Sequence, residues 1–242
     1  MIKVFIPTCD RYIHLIESLK ITVEEFLENP KSFQFNIVGY KKPNWELNDW
    51  VFHSLGEDRG PQYFTRDLES FFSKVEDEIF IYLNDDILLT HKLNYDLLIF
   101  LIEKIKSDEK IGRICLTDDG TYRRTVDTKS IGYDVIETIN DTNIIEYRQN
   151  SDYRISTQCS IWRKNYLLKY LDIDYNPWDF EVLQSQKSIN DGYRILASSN
   201  NFVIPSFSHL MVRGNLNSHW YVDIRNRYRL SDTIIEKIKN KL

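Results

Sequence analysis

Asn84, Asp85 and Asp86 interrupt an otherwise apolar run from Ile79 to Leu89. Two adjacent carboxylates repel, so shielding them from water is costly unless a cation, a positive side chain or several donors compensate. A hard divalent ion with oxygen ligands is the simplest compensation. Asx residues also favour turns and helix starts, but a cap needs one such residue rather than three. A second acidic pair, Asp179 and Glu181, flanks Phe180 just after Trp178. In a helix beginning at Trp178, Trp178 and Glu181 share a face at i, i+3 spacing, and Asp179 points about a quarter turn away. A carboxylate beside an aromatic surface is a candidate general base, while acids at a helix N-terminus also complement its dipole.

The elements around these residues follow from hydrophobic spacing. Lys3 to Ile6 reads as a short strand stopped by Pro7, and Thr8-Cys9-Asp10-Arg11 connects it to a helix carrying Tyr12, Ile16, Leu19, Val23, Phe26 and Leu27 at three- and four-residue intervals. Asn29-Pro30 ends that helix. Strands are expected over Phe33 to Val38 and Trp50 to Leu55. Gly56 to Pro61 is a turn whose proline suits the first position of a helix, and Phe64, Leu68, Phe71, Phe72 and Val75 give that helix an apolar stripe. Glu78 to Leu83 reads as a strand buried on both faces, which places the acidic triplet at its carboxyl end, where open α/β sheets gather ligands. A helix follows with Leu97, Leu98, Leu101, Ile102 and Ile105, then a strand over Arg113 to Leu116. This order predicts an α/β fold with a mainly parallel central sheet flanked by helices.

The second half is less regular. A hairpin is expected near Ile131 to Ile136, and strands near Ile144 to Tyr147, Ser156 to Trp162 and Asn200 to Ser206. Helices are expected over Lys164 to Leu171 and Trp178 to Lys187, with a last one capped by Ser231.

The 242 residues suffice for one substantial core, and the 42% apolar and 28% charged residues are ordinary for a globular chain. The net charge of −5 gives no support for general polyanion binding, although Arg123-Arg124 and Arg213, Arg225, Arg227 and Arg229 form local basic clusters. Nucleic acid is therefore not expected as a partner. No run of eighteen apolar residues suggests a membrane span, and the N-terminal apolar run is too short for a signal peptide, so a cytoplasmic location is expected. Cys9, Cys115 and Cys159 are an odd, widely spaced set that reads as reduced thiols rather than a disulfide framework or a zinc site. His14, His53, His91 and His219 show no metal-ligand spacing, and there is no Walker loop, dinucleotide fingerprint or Gly-x-Ser-x-Gly elbow.

Four segments, in order, resemble the nucleotide-sugar-dependent glycosyltransferases of the GT-A fold, of the inverting, family-2-like kind. Pro7-Thr8-Cys9-Asp10-Arg11 looks like the loop that opens that family's nucleotide site. Leu55-Gly56-Glu57-Asp58-Arg59-Gly60 is similar to the segment that approaches base and ribose. Asn84-Asp85-Asp86 resembles the Asp-x-Asp element with Asn in its first position, which leaves one carboxylate fewer for a cation. Asn176-Pro177-Trp178-Asp179-Phe180-Glu181 resembles the Trp-x-x-Glu acceptor-side helix of many inverting members.

The resemblance spans roughly residues 2 to 215 and implies a single GT-A-like domain over 1–242. Its Rossmann-like nucleotide-sugar-binding half would cover about 1–116, and its acceptor-binding half with the C-terminal helix about 117–242. The implied reaction moves a sugar from a nucleoside-diphosphate sugar to the hydroxyl of a carbohydrate or other acceptor, with inversion and assistance from Mn or Mg. Breaking the anomeric C–O bond builds negative charge on the diphosphate, which a divalent ion or fixed positive groups stabilise. By resemblance, Asp86 is a metal ligand and His209 a further one. Thr8, Asp10, Arg11, Glu57, Asp58, Arg66, Asn84, Asp85 and Arg213 would contact the donor, with the Arg11 fork suited to phosphate and the Asn84 amide to ribose hydroxyls. Trp178 would stack on the acceptor, and Glu181 or Asp179 would be the base, with Glu181 preferred.

Two other classes fit the same sheet. A sugar nucleotidyltransferase would share the acidic metal site but would normally carry a glycine-rich, basic phosphate loop, which Thr8-Cys9-Asp10-Arg11 lacks. A nucleotide- or carbohydrate-binding protein without turnover would keep the fold alone. The sequence does not fix sugar, base, acceptor or oligomeric state.

Overall fold

The computed structural model describes residues 1–118, 132–171, 174–207, 210–212 and 215–242. Ile2–Pro7 (β1) pairs in parallel with Phe33–Gly39 (β2) on one side and with Ile79–Tyr82 (β4) on the other, and Val51–Ser54 (β3) extends the parallel block beyond β2. Side chains alternate across this block. Val4, Ile6, Phe35, Ile37, Ile81 and Leu83 join one core with the helices Leu15–Phe26 (α1) and Tyr95–Ser107 (α3). Phe5, Val38, Phe80 and Tyr82 join a second core with Leu68 and Phe72 of the helix Phe64–Phe72 (α2). Burial on both faces explains why these strands read as continuous apolar runs.

The remaining strands are Leu88–Leu89 (β5), Ile111–Cys115 (β6), Tyr133–Ile139 (β7), Thr142–Tyr147 (β8), Ser160–Arg163 (β9), Arg194–Ser198 (β10) and Ser206–Phe207 (β11), followed by a small pair, Met211–Val212 and Asn215–Leu216. The main sheet has nine strands in the order β3-β2-β1-β4-β9-β6-β10-β8-β7. The α/β class and the parallel block in the first half of the chain agree with expectation. Antiparallel pairs enter at β9, which opposes both β4 and β6, and again at β8 and β7. Because β9 comes from the second half of the chain yet lies between β4 and β6, the two halves share one sheet.

The helices Lys164–Tyr170 (α4) and Pro177–Lys187 (α5) match expectation closely, and Ser231 caps the last helix, Asp232–Lys239 (α7), by accepting from the Ile234 amide. Several other readings are corrected. The expected strand from Ser156 begins only at Ser160, because Ser156 and Thr157 spend their donors on a helix carboxylate. The hairpin is the β7–β8 pair, turning at Asn140-Asp141 with φ of 45° and 62°. Positive φ at both central residues is the hairpin turn that Asn and Asp tolerate best; Ile131, where the hairpin was expected to start, lies outside the described residues. The late strand at Asn200 to Ser206 shrinks to Ser206–Phe207, while β10 carries the ladder. Trp220–Tyr228 (α6) has no broad apolar stripe to announce it: only Trp220 and Ile224 are buried. With α7 and Phe207 they form a third core against Leu15 of α1 and Leu88 of β5, so the end of the chain braces the region behind the acidic triplet.

Candidate active site

The triplet lies where β4 ends beside β1. Pairing continues one residue past β4 through Leu83 N–H to Phe5 carbonyl, 2.9 Å, and Ile87, Leu88 and Leu89 are buried directly afterwards. Asn84 to Asp86 are thus a short polar step between two anchored apolar segments. Thr8, fixed by its own amide to the Val38 carbonyl at 2.9 Å, donates its hydroxyl to Asp85 Oδ2 at 2.7 Å. Asn84 Oδ1 accepts from the Cys159 thiol at 3.3 Å.

Asp85 and Asp86 keep partial solvent contact at this edge but are ringed by protein. Burial raises both carboxyls above the ordinary carboxylate range; the Asp85 charge raises Asp86 further, and the Thr8 hydrogen bond partly offsets the rise at Asp85. The same local charge reaches its neighbours. Burial first, then Asp85, raises the Cys9 thiol, and the buried Tyr82 phenol is raised by burial and then by Asp85, Glu181, Cys159 and Asp86. The charges of Asp85, Asp86 and Glu181 therefore all act on the Tyr82 phenol.

Asp85 and Asp86 offer carboxylate oxygens whose mutual repulsion a hard divalent cation would relieve; among the described residues no group of three or more His, Cys, Asp and Glu side chains could hold a metal ion.

A stability test follows from the raised carboxyls. A group whose folded pKa exceeds its unfolded one binds more protons when folded, so its contribution to stability declines as pH rises through that interval. Asp86→Asn removes one charge and should stabilise the metal-free protein at pH 8 by on the order of 1 kcal/mol, seen as a raised unfolding midpoint, the gain shrinking toward pH 5. Thermal denaturation in chelator checks this, and a lower midpoint at pH 8 would contradict it.

On the β1–β3 side of the triplet, the loops after β1, β2 and β3 are joined. Asp10 Oδ1 accepts the Lys41 amide at 2.9 Å, and the Asp10 amide donates to Asp58 Oδ2 at 3.1 Å. The Gly60 amide donates to Asp58 Oδ1 at 3.0 Å. Glu57 and Arg11 are exposed on this rim, the Arg11 guanidinium lying 5.4 Å from the Tyr12 ring centroid. Arg66 points to an ion pair with Asp174 at 2.6 Å. Arg59, which spacing did not single out, pairs with buried Asp67 and lies 4.2 Å from the Tyr63 ring centroid; Asp67 also accepts the Tyr40 hydroxyl at 2.9 Å.

On the opposite side, Thr65 of α2 and Tyr175 exchange hydrogen bonds, with the Tyr175 amide 2.8 Å from Thr65 Oγ1, and so fix the chain entering α5. Asn176 caps α5 by accepting the Asp179 amide at 2.9 Å, and its own amide nitrogen reaches Asp179 Oδ2 at 2.6 Å. Asp179 is thereby engaged in the cap, a reciprocal arrangement that stabilises helix starts. Trp178 is 66% exposed. Glu181 turns inward, and its Oε1 accepts from Ser156 Oγ at 2.7 Å, the Thr157 amide at 2.7 Å and Thr157 Oγ1 at 2.9 Å. One turn on, Ser185 Oγ bonds both the amide and the carbonyl of Ile155. Fully buried Arg154 holds the same segment through Asp191 at 2.9 Å and the Tyr193 and Ser188 carbonyls. Ser156 and Thr157 lie far from Glu181 in sequence, and no spacing signals their pairing.

The structure thus brings Thr8, Asn84, Asp85, Asp86 and Glu181 to one edge, with Asp10 and Asp58 on the adjoining rim. Arg66 and Asp179 are committed to neighbouring residues. His209 and Arg213 lie outside the described residues, as do Arg123 and Arg124. All three cysteines are free thiols. No helix of the described residues is long and apolar enough to cross a membrane.

No family model matches this sequence, and no curated protein matches it. Solved structures do. The mannosyltransferase PcManGT from Pyrobaculum calidifontis, in complex with GDP-Man and Mn2+, superposes with a TM-score of 0.51 over 99% of this chain and 73% of its own, at 11% identity. TarS of S. aureus gives 0.50 at 16% identity, over 99% of this chain but only 43% of TarS. An apo UDP-glucose pyrophosphorylase gives 0.56 at 12% identity, over 95% of this chain and 98% of its own. At such identities the likeness is one of fold. That fold is GT-A, as the four ordered segments led one to expect.

Proposed function

Because the chain carries the GT-A fold, which glycosyltransferases and nucleotidyltransferases share, we propose that it is a glycosyltransferase that moves a sugar from a nucleoside-diphosphate sugar to an acceptor hydroxyl with inversion. The observation that carries this reading is that one segment ties Glu181 to the acidic triplet: Ser156 and Thr157 donate to Glu181 Oε1, and Cys159, two residues on, donates to Asn84 Oδ1. A group transfer with inversion needs two functions on opposite sides of one carbon: leaving-group stabilisation and a base for the nucleophile.

Asp86, with Asp85, would hold a divalent cation, Mn or Mg, which would supply electrostatic stabilisation of the departing diphosphate. Thr8 orients Asp85 through its hydroxyl. Asn84, its oxygen engaged by Cys159, offers its NH2 to a ribose hydroxyl. Asp10, Arg11 and Glu57 line the donor rim; by the resemblance alone, His209 would be a further metal ligand and Arg213 would meet the diphosphate. Trp178 presents its ring to the acceptor. Glu181 takes the hydroxyl proton: the donors converging on Oε1 fix the carboxylate's orientation, and orientation is most of what a base needs before its basicity matters. The acceptor oxygen bonds to the anomeric carbon, that carbon's bond to the diphosphate oxygen breaks, and the nucleoside diphosphate leaves with the electron pair.

Nucleotidyl transfer is the second reading, favoured by the pyrophosphorylase likeness. Against it, the loop after β1 presents Asp10 and no glycine or lysine to a triphosphate. A thermal-shift screen of nucleoside diphosphates and nucleotide sugars, with and without Mn, tests the proposal, since ligands that bind only the folded state raise its midpoint. A manganese-dependent shift with one nucleotide and its sugar is expected. No shift with any of them would overturn it.

A further inference from the structure

Asp58 ties its own loop together and joins it to the loop after β1, one oxygen for each: Oδ1 takes the Gly60 amide at 3.0 Å and Oδ2 takes the Asp10 amide at 3.1 Å. Asp10 passes the connection on, because its own Oδ1 takes the Lys41 amide at 2.9 Å. The loops after β1, β2 and β3 are therefore fastened in series by two carboxylates acting on three backbone amides. Gly60 sits at φ 99° and Gly56 at φ 96°, conformations in which the segment between them bends back toward β1. In the sheet β2 lies between β3 and β1, so the loops after β3 and β1 do not follow adjacent strands.

Both Asp58 oxygens thus accept from backbone donors, which fixes the carboxylate's orientation and leaves a lone pair on each oxygen. We infer that Asp58 is a positioning residue that locks the three loops into one preformed donor rim, so that donor affinity depends on it while the transfer chemistry does not. This inference rests on the glycosyltransferase reading for its ligand but not for its geometry. Preformed rims bind more tightly because loop ordering is not deducted from the binding free energy. Asp58→Asn keeps one acceptor oxygen and so keeps one of the two links, whereas Asp58→Ala loses both.

The test combines two measurements on the full chain. Amide hydrogen exchange without nucleotide reads the clamp directly: Asp58→Ala should speed exchange at Asp10, Gly60 and Lys41, with Asp58→Asn intermediate and the core strands unchanged. Titration with the diphosphates of uridine, guanosine, cytidine and adenosine in Mn then reads its use. For whichever wild type binds, Asp58→Ala should weaken affinity about tenfold or more and raise KM for the sugar nucleotide, leaving kcat within about threefold, as expected when binding common to ground and transition states is lost. Unchanged exchange with weakened affinity would overturn the inference in favour of direct contact by Asp58. Faster exchange with unchanged affinity would overturn the role in donor binding. If wild type binds none of the four diphosphates, the functional reading fails and the donor role with it, while exchange still decides whether the clamp exists.

Discussion

Asp86→Ala is expected to reduce sugar transfer by on the order of 10²–10³-fold, the scale seen when a preorganised group that stabilises developing negative charge is removed. The expectation rests on where the charge sits. Burial and the adjacent Asp85 both oppose ionisation of Asp86, so without a ligand the pair carries a repulsion that a polar surface residue would not. A bound cation reverses that balance. The same substitution should therefore remove activity and stabilise the metal-free fold, a trade expected of functional rather than structural residues. Initial rates with the donor that wild type accepts, measured across a manganese titration, check the first part. An Asp86→Ala protein that is active and insensitive to chelator would remove Asp86 from the metal role.

Glu181→Gln is expected to lower kcat by about 10²–10⁴-fold, the usual worth of a positioned general base, with little change in donor affinity. Glutamine retains an oxygen that can accept from Ser156 Oγ, the Thr157 amide and Thr157 Oγ1, so the loop that Glu181 organises stays in place. What disappears is the capacity to take a proton. Asp179→Asn is the matched control: Asp179 belongs to the Asn176 cap, and an amide there should leave kcat near wild type. Equal losses in the two variants would mean that α5 matters only as a scaffold, and wild-type turnover in Glu181→Gln would remove the base assignment.

Much of this site could be read in the sequence because its parts are local. The apolar run into Asn84-Asp85-Asp86 fixes a buried strand and its polar end within a dozen residues, and Asn176-Pro177 announces the helix that carries Glu181. The preference for Glu181 over Asp179 came from helical phase beside Trp178 and from the resemblance of that segment to a Trp-x-x-Glu helix; in the structure Asp179 is taken up by the Asn176 cap. What escaped the sequence was non-local. The partners of Glu181 lie on a segment that its own alternation suggested was strand, and Asp58 looked like a turn residue or a base contact until its two backbone donors could be seen. Strand β10 was missed in favour of the segment after it, because Arg194 spends its charge on Asp108 and Glu146 across the sheet edge. Helix α6 was missed because two buried residues one turn apart suffice to dock it.

The most direct test of the central claim is to follow phosphorus resonances while the full chain, with Mn, is given a nucleotide sugar in one sample and a nucleoside triphosphate with a sugar 1-phosphate in another. The account predicts a nucleoside diphosphate as the phosphorus product of the first sample and no pyrophosphate in the second. Pyrophosphate in the second, with the nucleotide sugar of the first left intact, would contradict it.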